Sequence, residues 1–410
     1  MKELLRDPRV LRLLIANTLG SIGSGVTIFA VPWLMVNRAH GNEVFRWCTI
    51  ATTLVLFLIM PYYGTLIDRS SRKTMLLASE LFGLAATAGM AITALALGRV
   101  DTWQLVTIYF CGMLYYTLHY SAKFAFIQQL FERSQYQSLI GLLEIQGQTA
   151  MMIAGGLGGY LVDRGVPLYG ILLFDAATYL ISFVLLAGLP YRATHLEKLS
   201  TTAASRRVWH ASAEAWAWLR AQPQLTLFLT CSFIPFIAVM ASNYLFPIYV
   251  SQTLHADAKV FGTGEISFAL GAVVAGALLP RLIAQHSAYH TIAATMLVFI
   301  SGLCVLVLVP IPTLYLTATV LLGFGNAGCR VARSALMLHL IPNEVMGRIN
   351  TFYNVFDRLM RTLLVGALAI IDYFGPRSGF ALLLVLVLAA HLGLLRSRAA
   401  IKVNNAPAMI

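Results

Sequence analysis

Charged side chains are scarce in this sequence. Asp, Glu, Lys and Arg make up 11% of it, against roughly 25% in soluble globular chains. Acids are the scarcer sign, 17 against 29 basic residues, which leaves a formal net charge of +12. There are five cysteines, Cys48, Cys111, Cys231, Cys304 and Cys329, and no CxxC pair. That spacing excludes a disulfide frame or a thiolate metal site and leaves small buried apolar residues. No GxxxxGK loop is present, which excludes the usual ATP-driven transport, and no GxSxG or HExxH marks a hydrolase. The chain thus carries no catalytic constellation, and we expect neither an enzyme nor a cofactor or metal.

What fills the sequence is apolar. Hydrophobic residues are 59% of the chain and its mean hydropathy is +0.76, more apolar surface than a soluble fold can hide. The basic balance does not point to nucleic acid, because the cations sit in gaps between apolar runs and form no patch interleaved with exposed aromatics. The first apolar run, after Lys2, Arg6, Arg9 and Arg12, is too long for a signal-peptide core and should remain as a helix. At about 20 residues per crossing, the pattern predicts an all-α membrane protein. Its twelve spans fall near 11–36, 45–67, 74–98, 103–128, 137–161, 167–189, 225–250, 260–284, 288–309, 312–338, 346–371 and 378–396.

The least apolar stretch, 191–224, reads as a cytoplasmic linker between two six-helix bundles, 1–190 and 225–410. Its second half, Trp209 to Leu219, has the pattern of an amphipathic helix lying on the membrane. With both termini inside, 21 of the 29 cations fall on inner segments and 6 on outer ones, while Arg358 and Arg361 lie within the eleventh span. That bias fits an even number of crossings.

The densest charge cluster between two apolar runs is GTLIDRSSRK, Gly64 to Lys73. It predicts a tight cytoplasmic turn between spans two and three. Gly64 allows close approach there, and Asp68 either bonds Arg72 or faces a helix N-terminus. A weaker echo, GALLPR at Gly276–Arg281, ends span eight. Phe131, Glu132 and Arg133 before span five likewise have a counterpart in IPNEVMGR, Ile341–Arg348, before span eleven. Duplicated halves are the sequence sign of a rocking transporter.

The loop, the span count and the Pro342–Asn350 stretch together resemble the drug- and siderophore-exporter branch of the major facilitator superfamily, which holds macrolide efflux pumps and the enterobactin exporter. Arg6, Asp7 and Pro8 before span one, Pro32 near its end and FDAATY at Phe174–Tyr179 extend the similarity over nearly the whole chain. The resemblance implies export coupled to proton entry. It also implies a cavity lined by spans one, four, seven and ten, and a cytoplasmic gate of Gly64, Asp68, Arg69, Arg72 and Lys73 with Glu344, Gly347 and Arg348. Three features depart from the pattern: AGGLGG at Ala154–Gly159 has no proline, Ser24 rather than an acid follows Gly23, and span four has no arginine.

Ionisable groups inside spans are functional candidates by default. Asp175 is either a proton carrier or a carboxylate paired with a neighbouring helix. Glu144, near Gln146 and Gln148, either lines a cavity or closes a gate. Glu265 either carries a proton or is simply wet at the outer end of span eight. Glu80 is expected to pair with a cation of the Gly64–Lys73 loop. Asp357 and Arg361, four apart, can pair on one helical face. With Asn354 and Arg358 they form either a packing element or a cavity stripe that attracts an anionic or catecholate-like substrate. Arg330 and Arg333 are expected to snorkel to lipid phosphates, or else to form a cationic vestibule.

Span four holds Tyr109, Tyr115, Tyr116, His119 and Tyr120, too central for an interfacial belt and suited to stacking on a planar ligand. Asn17, Asn243, Tyr244 and Asn326 are the matching polar candidates. The expected partners are a small molecule, protons and the lipid bilayer, with no nucleic acid. The expected setting is a monomer in a bacterial inner membrane with both termini cytoplasmic. An importer of the same fold and a receptor or scaffold without flux are the alternatives.

Overall fold

The computed structural model describes residues 6–131, 133–191, 216–341, 343–371 and 374–397. Twelve long helices run through these residues, and no strand occurs among them. In chain order they are α1 (Pro8–Val36), α2 (Gly41–Arg69), α3 (Arg72–Leu97), α4 (Thr102–Leu130), α5 (Arg133–Asp163) and α6 (Leu168–Ala187). Then follow α7 (Pro223–Ile248), α8 (Ala258–His286), α9 (Ala288–Leu308), α10 (Pro312–Leu340), α11 (Asn343–Ile371) and α12 (Pro376–Arg396). The all-α expectation holds.

Helix boundaries follow local chemistry. Asp7 caps α1 by accepting from the Arg9 N–H at 2.8 Å, with Pro8 in the first turn, where its missing N–H costs nothing. The Arg9 guanidinium also donates to Asp7 at 2.7 Å and holds that carboxyl below the usual aspartate range. At the start of α4, Asp101 and Gln104 form a capping box. Gly98 ends α3 at φ +63°, a left-handed cap that suits glycine. Beyond Pro247, α7 continues as a π-turn, Tyr249–Thr253, closed by the Leu254 N–H donating to the Tyr249 carbonyl at 3.0 Å. A proline lacks the N–H that an α-helical ladder needs, and a wider turn absorbs the mismatch.

Among the described residues, eight helices are long and apolar enough to cross a membrane: α1, α2 (Gly41–Ile59), α3, α6, α7 with its π-turn, α8 (Ala258–Leu279), α9 and α12. The four others, α4, α5, α10 and α11, have the length but carry more polar side chains, His119 in α4, Arg330 and Arg333 in α10, and Asp357, Arg358 and Arg361 in α11 among them. At 29 residues, α4 measures about 44 Å at 1.5 Å per residue, more than the roughly 30 Å hydrocarbon core.

The chain forms two compact units, Met1–Thr202 with Asp257–Ile266, and Ala203–Ala256 with Ser267–Ile410. In the first, α1 packs on α4, α5 and α6, and α3 packs on α4 and α6. In the second, α7 packs on α10, α11 and α12, and α9 packs on α10 and α12. These five pairings recur six helices later, the structural counterpart of the repeated sequence. Leu13, Ala16, Leu76, Phe126, Leu139 and Leu186 build part of the first core. In the second, Tyr249 meets Phe380 edge-on at 5.1 Å, and Phe299 and Phe380 are fully buried.

Two expectations need correction. The turn between α2 and α3 is Ser70 and Ser71 alone, because α2 continues through Arg69 and takes up most of the Gly64–Lys73 decapeptide. Ser71 then caps α3 by accepting from the Thr74 N–H. At the end of the linker, Leu219 is fully buried and Trp216 stacks on Phe352 of α11 at 5.8 Å, so this part packs on the protein. The rest of the expected surface helix, up to residue 215, lies outside the described residues.

Candidate functional site

Within the first unit, α1, α3, α4 and α6 bring a polar cluster into an apolar bundle. Asp175 on α6 is 1% exposed. The Thr27 hydroxyl of α1 donates to its Oδ2 at 2.6 Å, while its Oδ1 has no hydrogen-bond partner among the described residues. Gly23 makes this approach possible. A Cβ there would strike the Thr178 hydroxyl and come within 2.9 Å of Asp175 Oδ1. Beside the carboxylate lies a cavity of about 20 Å³, lined by Ser24, Thr27, Gly112, Tyr115, Asp175 and Tyr179 among others. That is room for one water.

A second carboxylate continues the cluster. Glu80 of α3 is 1% exposed, and its Oε1 lies 3.0 Å from His119 Nδ1 and accepts from the Tyr115 hydroxyl at 3.4 Å. Glu80 therefore has its described partners on α4, and neither Arg72 nor Lys73 of the Gly64–Lys73 stretch is among them. Tyr115 also packs edge-on against Tyr179, one turn beyond Asp175, at 4.6 Å. The two acids thus share a chain of aromatic and hydroxyl neighbours. The signal in the sequence was the four-residue spacing of Asp175 with Tyr179 and of Tyr115 with His119, which puts each pair on one face.

The aromatic run of α4 divides among three surroundings. Tyr115 and His119 face the cluster. Tyr116 and Tyr120 are exposed and stack at 5.9 Å. Tyr109 turns to α2, where Thr49 donates to its hydroxyl at 3.3 Å and Phe45 meets it edge-on. Asn17 is buried, with Nδ2 lacking a partner among the described residues. Glu265 is half-buried, and its Cβ lies 2.5 Å from where Gly155 would place one of its own.

Two cations of the gate motif serve helix ends. Lys73 Nζ donates to the carbonyls of Ala187 and Leu189, both at 2.6 Å, closing the C-terminus of α6. Arg72 donates to the Ala125 carbonyl of α4 at 2.7 Å, and its backbone N–H donates to the Tyr191 hydroxyl. The side chains of Gly64, Asp68, Arg69, Glu144, Glu344, Gly347 and Arg348 lie outside the described residues.

The second unit gathers cations on α10 and α11. Asp357 and Arg361 of α11 are joined at 2.6 Å, the pairing their spacing allows. Arg358 is half-buried and Asn354 exposed on the same helix. Arg333 of α10 does not snorkel. It is 5% exposed, lies 3.7 Å over the Phe233 ring and donates to the Ser232 carbonyl at 2.8 Å. Tyr353 stacks on the same ring at 4.5 Å. Arg330 is half-buried, Asn243 exposed, and Tyr244 and Asn326 buried.

Comparison with known proteins bears on this geometry. The sequence profile of the Major Facilitator Superfamily matches residues 13–365. The MFS-type transporter YfiS of Bacillus subtilis strain 168 is 22% identical over 360 residues, 85% of this chain and 83% of that protein. The multidrug efflux pump Tap of Mycolicibacterium fortuitum is 25% identical over 374 residues, covering 85% of each chain. Among solved structures, an inward-facing bacterial homologue of the iron transporter ferroportin superposes with a TM-score of 0.71 at 14% identity, covering 95% of this chain and 98% of its own. The nucleoside transporter NupG, in a mutant form, gives 0.70 at 12% identity over 95% and 99% of the two chains. At these identities the structures speak for the fold alone.

Proposed function

Because the chain belongs to the Major Facilitator Superfamily, we propose that it exports a drug-like or siderophore-like small molecule by alternating access, in exchange for protons. It is a multi-pass membrane transporter and not an enzyme. The proposal places it in a bacterial inner membrane, both termini cytoplasmic, acting as a monomer. Multidrug efflux pumps among its relatives favour the outward direction.

The observation that carries proton exchange is Asp175. Among the described residues the Thr27 hydroxyl donates to one of its oxygens and the other is left without a donor, inside a bundle. An ionised carboxylate so placed is costly out of water. Its charge is tolerated when water reaches it and is discharged by a proton when the site closes. In the same proposal Glu144, Glu265 and Asp357 are further coupling candidates. The Gly64–Lys73 and Pro342–Arg348 segments act as gate elements held by Asp68 and Glu344. Asn17, Tyr109, Tyr116, His119, Tyr120, Asn243, Tyr244, Asn326 and Asn354 supply polar and aromatic contacts to the cargo.

The test uses everted vesicles acidified inside and a pH-sensitive dye, with ethidium, tetracycline and 2,3-dihydroxybenzoate as probes. At least one probe should draw protons out of vesicles holding the wild-type protein and none from vesicles holding Asp175→Asn at equal expression. Equal proton release by that variant would remove Asp175 from the mechanism. Movement from lumen to medium would reverse the direction.

A further inference from the structure

The midsection of α11 carries more cations than acids, Arg358 and Arg361 against Asp357. Asn354, Arg358 and Arg361 recur at intervals of four and three and therefore share one face. Asp357 binds Arg361 through one bond at 2.6 Å, and the guanidinium lies 5.7 Å from the centre of the Phe236 ring, leaving its buried Nε without a hydrogen-bond partner among the described residues. Arg358, half-buried, donates from its guanidinium to no described residue. Behind them Arg333 is fixed by the Phe233 ring and the Ser232 carbonyl, within electrostatic reach of Asp357. Three guanidinium groups thus face one carboxylate in a bundle that has every reason to exclude unpaired charge.

We propose that Arg358 and Arg361 form the site for an oxyanion on the transported molecule, a carboxylate or phosphate group, with Arg333 holding the positive field behind them. A guanidinium presents a planar fork of N–H donors that matches such a group with two parallel bonds. Asp357 fixes the Arg361 fork, leaving Arg358 as the group free to close on the ligand. The Phe233–Tyr353 stack keeps water from Arg333 and strengthens its field. The inference rests on the exporter reading, whose substrate class it names. A lipid phosphate offers the same chemistry, but the ligand of this site is a soluble anion.

The experiment follows thermal unfolding of the purified protein in nanodiscs of zwitterionic lipid at low salt. The probes are benzoate and phenyl phosphate, with benzamide and benzylamine as the neutral and cationic counterparts. At least one anion should raise the unfolding temperature in a saturable way, and neither counterpart should. Arg358→Gln should weaken that anion's half-saturation at least tenfold, and Arg358→Lys should recover part of the loss. The proposal falls if neither anion acts on the wild type, if benzylamine acts as strongly, or if Arg358→Gln responds like the wild type. It falls too if only nanodiscs containing phosphatidylglycerol stabilise the protein in an Arg358-dependent way, which would make the site a lipid site. Should Arg358→Gln fail to fold, the Arg358→Lys variant and the wild-type charge series decide. Binding is read without flux, so anion binding without vesicle transport would count against the exporter reading and leave the site intact.

Discussion

Gly23 is the residue on which the first-unit cluster turns. Its missing side chain lets α6 lay Thr178 and Asp175 against α1, and any Cβ would occupy that space. Gly23→Ala should therefore cost about 1–3 kcal/mol through overpacking and displace Asp175 from Thr27. The expected result is a lower unfolding temperature together with loss of probe-driven proton release. Gly89→Ala is the control, since nothing lies within 4 Å of a Cβ there. An unchanged unfolding temperature in Gly23→Ala would mean that the α1–α6 contact is looser than described. Glu80 shows how residue chemistry alone misleads. A carboxylate two turns from a basic loop invites a pairing across the loop, but Lys73 and Arg72 are committed to helix carbonyls, and Glu80 finds its partner in His119.

Among the elements, the first turn of α3 closes the end of α6. The last carbonyls of α6 have no partner within their helix, and Lys73 supplies three donors to a place where the helix dipole favours a cation. Lys73→Met removes two charge-assisted bonds at 2.6 Å. Because Lys73 is partly wet, we expect a loss of about 1 kcal/mol, read as a modest drop in unfolding temperature. The exposed Lys259→Met should show no drop. Equal stability of both variants would reduce the Lys73 bonds to surface contacts. The α2–α3 turn was legible as a turn, but its two-residue length was not. A basic, polar run looks like a loop, yet its Leu and Ile and the absence of proline let α2 carry on through it.

For the whole molecule, the coupling ion sets what the transporter can achieve. One inward proton at about 100 mV supplies roughly 2.3 kcal/mol. At about 1.4 kcal/mol per factor of ten, that sustains a gradient approaching fiftyfold. A neutral probe exchanged one for one should plateau near that ratio in everted vesicles without a pH difference, and a protonophore should abolish it. A plateau unaffected by the protonophore would exclude proton exchange.

Composition and hydropathy along the chain are enough to show that it is helical and divides into long apolar segments, with an echo between its halves. Hydropathy and the cation bias are properties of local composition, and twelve helices are read from them without knowing a single contact. The sequence also sufficed for pairs on one helix, such as Asp357 with Arg361, because the helical repeat fixes which side chains meet. Partners across helices come from the packed fold: Thr27 for Asp175, His119 for Glu80, and Phe233 with the Ser232 carbonyl for Arg333. Such partners depend on the rotation and height of one helix against another. Close-packed small residues set those, notably Gly23 against Thr178 and Gly83 against the Tyr179 ring. No periodicity along the chain records them.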